Sequence, residues 1–217
     1  STSSIAAICF STKRWQGVKF TEDDWSNPND PVASAYIKSK TYAEKAAWEF
    51  VENTADAPEL ATVNPSLVLG PILEKDLGTS ATVVKRLMDG SFPAIPNLGF
   101  PIVDVRSVAD LHVLAMEKPE AAGNRFIAGG AYMRLGEIAR LLKEAYPDRK
   151  IPMRKLPDLA VKIFALFDSG TRGVLGELNK PRFVDISKAK NILGWQPIDE
   201  REAVLATAES LVKYGLI

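Results

Sequence analysis

The chain has 217 residues, 46% hydrophobic and 25% charged, an ordinary globular composition with room for one sizeable core or a domain and a half. Its 27 basic and 27 acidic side chains cancel, so no cationic excess is available to displace counterions from a nucleic acid. A single cysteine, Cys9, excludes an internal disulfide, and the absence of a Cys/His cluster excludes a zinc site. No apolar run approaches the roughly 18 residues of a membrane span, and no signal peptide opens the chain, so a reducing, cytoplasmic location is expected.

"STSSIAAICF" has no start methionine and reads as the tail of a buried strand, so the natural protein is expected to begin upstream. Residues 11–33 read as loop, with Gly17, Asn27-Pro28 and Asn29-Asp30-Pro31 as turns and Trp15 and Trp25 as anchors. A long helix follows over about 33–53, rich in Ala, Glu and Lys. Runs at Leu60–Val63 and Leu67–Leu69, separated by Pro65 and stopped by Gly70-Pro71, read as buried strand. Residues 80–90 form a helix ending at Gly90. "IVDVRSVADLHVLAMEKP" holds a short strand and then a helix, with Ser107 as N-cap and Asp110 at the third position.

"GNRFIAGG" is a strand between turns, and "MRLGEIARLLKEAYP" is an amphipathic helix with Leu135, Ile138, Leu141 and Leu142 on one side. "IPMRKLPDLAVKIFALF" suggests a strand and a helix, and two last helices close at Gly194 and Gly215. Strands and helices alternate throughout, so the class is α/β.

The chemistry starts in "SAYIKSKTYAEKAAWEF". Tyr36 and Lys40 are four apart on a helix and share a face. A free phenol has a pKa near 10; an ammonium within about 4–6 Å favours the phenolate, the tuning that a general acid/base needs. An exposed tyrosine beside a solvated lysine is the plain alternative. Ser4 stands where a buried strand ends, the edge at which open parallel sheets bind ligands, and its hydroxyl could hold a carbonyl oxygen; a turn or N-cap serine is the alternative there. His112, the sole histidine, lacks a GxSxG elbow to serve and reads as packing. Phe92, Ile95, Leu98, Phe100 and Phe126 could shape an apolar pocket, though core duty is the simpler role for most.

In order, "TSS…YIKSKTYAEKAAWEF…VNPSLVLGP…VDVRSVADLH…DISKAKNILGWQP" resembles the extended short-chain dehydrogenase/reductases, and among them the dihydroflavonol 4-reductase-like aldehyde and ketone reductases. The resemblance implies a partial Rossmann fold (the C-terminal half of a doubly wound parallel sheet) with a smaller α+β substrate-binding lobe. Residues 1–72 would be the Rossmann half with the catalytic helix and 73–217 mainly the lobe, with about 101–128 returning to the Rossmann domain. It implies Ser4, Tyr36 and Lys40 as catalytic residues, with Ser3 the fallback should the register slip by one. Cofactor contacts would come from Tyr36, Lys40, Pro65 and Ser66, with the neighbouring backbone of Asn64 and Leu67. The cofactor would be NADP or NAD, without a metal, and the reaction hydride transfer to a small-molecule ketone or aldehyde. Asp104 and Arg106 would brace the lobe interface, and the family leaves room for a homodimer through the Tyr36–Lys40 helix. A sugar-nucleotide epimerase or dehydratase, or a hydroxysteroid dehydrogenase/isomerase, would share the scaffold, and a non-enzymatic nucleotide sensor could keep the fold.

The family's glycine-rich turn GxxGxxG, which holds pyrophosphate at a helix N-terminus, does not occur after any strand of this chain. "GTRGVLG" (170–176) matches it formally but follows a helical run and reads as a decoy. The residues that choose between NAD and NADP are missing with that turn, and residues 1–217 alone are expected to be inactive.

Overall fold

A computed structural model describes residues 1–12, 17–164 and 175–217. Trp15 and most of the "GTRGVLG" stretch lie outside the described residues. The chain divides into two compact units. Unit 1 comprises Ser1–Ser66, Arg106–Gly130 and Arg182–Pro197, and unit 2 comprises Leu67–Val105, Ala131–Pro181 and Ile198–Ile217. No helix among the described residues is long and apolar enough to cross a membrane.

In unit 1 the first residues lie parallel to strand β2 (Thr62–Pro65): Ser3 N–H donates to Val63 O at 2.8 Å and Val63 N–H to Ser1 O at 2.9 Å. On its other side β2 pairs in parallel with β5 (Arg125–Ala128), Val63 opposite Phe126. Both strands are buried along their whole length, as strands covered on both faces are. After Ser4 the chain turns through a short 3₁₀ segment, Ile5–Ala7. The loop region beyond it contains the two-residue strand β1 (Lys19–Phe20), which pairs with β7 (Phe183–Val184). Helix α1 (Ala35–Asn53) starts at Ser34, whose hydroxyl accepts from Ile37 N–H, and buries Ile37, Thr41 and Glu44 at helical spacing. Apolar clusters built around Ile5, Ile8, Cys9, Phe20 and Ile127, and around Ala6, Ala33 and Ile37, fill the space between.

Helix α3 (Val105–Glu117) corrects one expectation. It begins directly after a strand, so Ser107 lies inside the first turn rather than capping it, and it is wholly buried. Trp195, also buried, donates its indole N–H to Ser107 O at 2.8 Å. Tertiary burial of a small residue under an indole outweighs the local capping preference at this position. A short helix α6 (Ser187–Leu193) precedes that indole and ends at Gly194, whose φ of +64° is the left-handed conformation glycine reaches without penalty.

Unit 2 is a mixed three-stranded sheet. Strand β3 (Leu67–Leu69) runs parallel to β4 (Gly99–Asp104), and β4 runs antiparallel to β6 (Tyr132–Arg134), which the sequence pattern does not announce. Gly99 is required there, because a Cβ would fall 2.5 Å from Met133 O. Helices α2 (Thr79–Met88), α4 (Leu135–Ala145) and α7 (Glu200–Lys213) supply one aliphatic core, in which Val84, Leu87, Ile138, Leu142, Val204 and Leu211 are fully buried. Ile95 and Leu98 belong to this core, with Phe92 and Phe100 packed against it. The strand expected at the start of "IPMRKLPDLAVKIFALF" reduces to one bridge, Ile95 to Lys155, before a short helix α5 (Asp158–Phe164). Two prolines, Pro152 and Pro157, deny that stretch the N–H groups of a ladder.

Candidate active site

Unit 1 brings Ser4 and Tyr36 together. The Tyr36 hydroxyl donates to Ser4 Oγ at 3.4 Å across 32 residues of sequence. Ser4 is buried and extended, whereas Tyr36 is 57% exposed, so the pair sits where buried strand-end meets open surface. Ser4 also takes the role of its plain alternative. It N-caps the 3₁₀ turn, accepting from Ala6 N–H at 3.1 Å. The two roles are compatible: with its oxygen accepting from Ala6 and Tyr36, the serine keeps its own proton to give away. Lys40 follows one turn after Tyr36 on α1 and is half-buried.

Pro65 ends β2, paired with Ala128, and Ser66 N–H donates to Ala128 O at 2.9 Å. The Ser66 hydroxyl is buried without a hydrogen-bond partner among the described residues. The side chain of Asn64 is fully buried and committed inward: its Nδ2 donates to Ser4 O at 3.2 Å and to Glu44 Oε2 at 2.7 Å. Leu67 opens β3 in unit 2. His112 has a packing role, bonded through Nδ1 to Val108 O at 2.8 Å and through Nε2 to Thr2 Oγ1 at 2.7 Å. A carbonyl only accepts, so Nδ1 carries the proton and, in the neutral ring, Nε2 accepts from Thr2.

Sequence reasoning missed Glu44. It lies one turn beyond Lys40 and two beyond Tyr36, and only 3% of it is exposed. Its carboxylate accepts from Ser3 Oγ at 2.5 Å, Asn64 Nδ2 at 2.7 Å, Thr62 Oγ1 at 3.1 Å and Arg125 Nε at 2.6 Å. Burial by itself raises this acid's pKa. The hydrogen bond and charge of Arg125, with the bonds from Ser3 and Asn64, outweigh it and hold Glu44 below the ordinary carboxylate value. Arg125 is itself buried on β5; its Nη1 donates to the carbonyls of Glu22 and Asp24, and its guanidinium stacks on Trp25 at 3.8 Å. That stacking serves a cation whose Nη2 finds no hydrogen bond among the described residues. The signal for Glu44 was present in "YIKSKTYAE", where it continues the four-residue series, but a glutamate in a strong helix reads as a solvated helix former. Among the described residues, no three His, Cys, Asp or Glu side chains are grouped to hold a metal.

No family model matches the chain. Individual proteins do. It is 36% identical over 161 residues to the cinnamoyl-CoA reductase CAD2 of Medicago truncatula, covering 72% of this chain and 48% of that protein. It is 35% identical over 231 aligned positions to the NADPH-dependent methylglyoxal reductase GRE2 of Saccharomyces cerevisiae, covering 98% of this chain and 63% of that protein. The crystal structure of yeast methylglyoxal/isovaleraldehyde reductase Gre2 complexed with NADPH superposes with a TM-score of 0.75 at 31% identity, over all of this chain and 64% of that one. The chain thus stands among the extended short-chain dehydrogenase/reductases, of the dihydroflavonol 4-reductase-like kind, and carries part of their Rossmann fold. It spans between about half and just under two thirds of the length of these relatives.

Proposed function

We propose that the protein carrying this chain is an NADPH-dependent reductase of a small ketone or aldehyde, and that Ser4, Tyr36 and Lys40 form its acid/base group. The observation that carries this reading is the meeting of the Tyr36 and Ser4 hydroxyls at a buried strand end. The named activities of the matched reductases support it. When bound, the dinucleotide supplies the hydride for the carbonyl carbon. The chain's own residues then handle the oxygen. Ser4, whose acceptor sites are turned to Ala6 and Tyr36, donates its proton toward the carbonyl oxygen and orients it. Tyr36 delivers the proton that completes the alcohol, and Lys40, one turn further along α1, contacts the cofactor. Pro65 and Ser66 would line the nicotinamide; the unpartnered, buried Ser66 hydroxyl suits a polar group arriving from a cofactor. Asn64 would act there through its backbone, because its side chain is spent on Ser4 and Glu44. A homodimer through α1 belongs to the same reading, since Tyr42 and Phe50 of that helix are more than half exposed.

The test follows nicotinamide absorbance in the natural gene product that contains these residues. Tyr36→Phe should lower kcat by roughly 10²- to 10⁴-fold with NADPH affinity nearly intact, and Lys40→Ala should damage both. Equal, mild effects would refute these roles. Nicotinamide that is recycled rather than consumed in proportion to product would indicate an epimerase-type reaction instead.

A further inference from the structure

Two adjacent serines precede the 3₁₀ turn, yet only one can face Tyr36. Ser4 has φ −166° and ψ 155°, an extended conformation, and successive side chains of an extended chain point to opposite sides. Fixing Ser3 on one side therefore fixes Ser4 on the other. Ser3 is fixed twice: its N–H is bonded to Val63 O at 2.8 Å, and its hydroxyl to Glu44 Oε2 at 2.5 Å. The same carboxylate oxygen takes Asn64 Nδ2, whose other bond reaches the carbonyl of Ser4. Glu44 stands on the helix that carries Tyr36, so one side chain joins the phenol's helix to both serines and to β2.

We infer that Glu44 is a positioning residue: by clamping Ser3 and Asn64 to α1, it sets the register that presents Ser4, and not Ser3, to the Tyr36 hydroxyl. It touches neither hydroxyl of the reacting pair and exchanges no proton with it. The inference rests on the reductase reading of Ser4 and Tyr36 for its effect on turnover, but its geometric content stands apart from that reading.

The experiment uses Ser3→Ala in the natural gene product. This substitution deletes one bond to Glu44 and leaves the Glu44–Arg125 pair intact, so the fold survives. The expected result is a fall in kcat on the order of tenfold to a hundredfold, with the Kd for NADPH unchanged. In the same protein labelled with ¹³Cζ-tyrosine, the Tyr36 resonance should move in the direction it takes in Ser4→Ala. A variant with wild-type kcat, or with a Tyr36 resonance at its wild-type position, overturns the inference. Tyr36→Phe run alongside separates the two ideas. If it keeps full turnover, the reductase reading of this site fails, while the resonance still decides whether Ser3 governs the contact between Ser4 and Tyr36.

Discussion

The two units are held by different chemistry. Unit 2 encloses one large aliphatic cluster, in which Leu87, Ile102, Ile138, Leu142 and Leu211 have essentially no exposure. Unit 1 has smaller apolar clusters and, among the described residues, buries Glu22, Glu44, Asn64, Arg125 and Arg182. Aliphatic packing is non-directional: it yields stability for almost any arrangement that excludes water. A buried carboxylate with four or five donors tolerates one arrangement only, because each lost donor leaves a desolvated group unpaired. The unit that must hold two hydroxyls in register relies mainly on the directional device, and the other, where Asp104 is the one buried charged residue among those described, mainly on the forgiving one.

The largest effect that could break this contrast comes from Arg125→Met. Removing the guanidinium leaves the buried Glu44 without its countercharge, so unfolding free energy in urea should drop by about 3–5 kcal/mol. The counterpart in unit 2, Leu142→Ala, should cost about 2–5 kcal/mol through its cavity while leaving turnover close to wild type. If Leu142→Ala depresses kcat as strongly as it depresses stability, the division of labour is wrong. The double variant Glu44→Met/Arg125→Met sharpens it. With no bare charge left buried, part of the lost stability should return. Turnover should nevertheless stay at the level of Glu44→Met alone, because Ser3 and Asn64 have lost their acceptor. Recovery of both together would mean that the network matters only for stability.

The same contrast explains what the sequence disclosed. Helix-forming composition announced α1 and a one-sided apolar pattern announced α4, and the serine and the phenol that the sequence singled out, Ser4 and Tyr36, lie 3.4 Å apart. Ladders and stripes are local patterns, so a chain displays them before it folds. Glu44, Thr62 and Arg125 are joined across 18 and 81 residues, and no local pattern marks a charged residue as destined for burial. Ser107 misled for a related reason: its capping preference is local, whereas the Trp195 indole that shares its buried site arrives from 88 residues away. Strand β6 escaped because three residues, Tyr132–Arg134, are too few for an alternation to register.

The smallest predicted effect concerns two glutamates buried within unit 1 that respond to pH with opposite signs. Burial dominates at Glu22 and raises its pKa, despite the hydrogen bond its Oε1 accepts from Ile127 N–H at 3.0 Å. Glu44 is also desolvated, but Arg125 and its other donors reverse the sign. For Glu44, whose folded pKa is depressed, the contribution to stability is present above the ordinary carboxylate pKa and is lost as pH falls through the folded value. For Glu22, whose folded pKa is raised, the contribution is present below the ordinary pKa and is lost as pH rises through the folded value. Above the ordinary carboxylate range, burial of Glu22 therefore costs the fold stability. Glu22→Gln keeps an oxygen for Ile127 N–H and removes the carboxylate, so Tm should rise at pH 7 and the gain should shrink toward pH 4. Glu44→Gln should do the reverse, lowering Tm at pH 7 by more than at pH 4, because its amide turns a donor toward Arg125. Parallel pH profiles for the two variants would mean that both carboxylates are merely buried, and that Arg125 does not distinguish the clamp from the rest of unit 1.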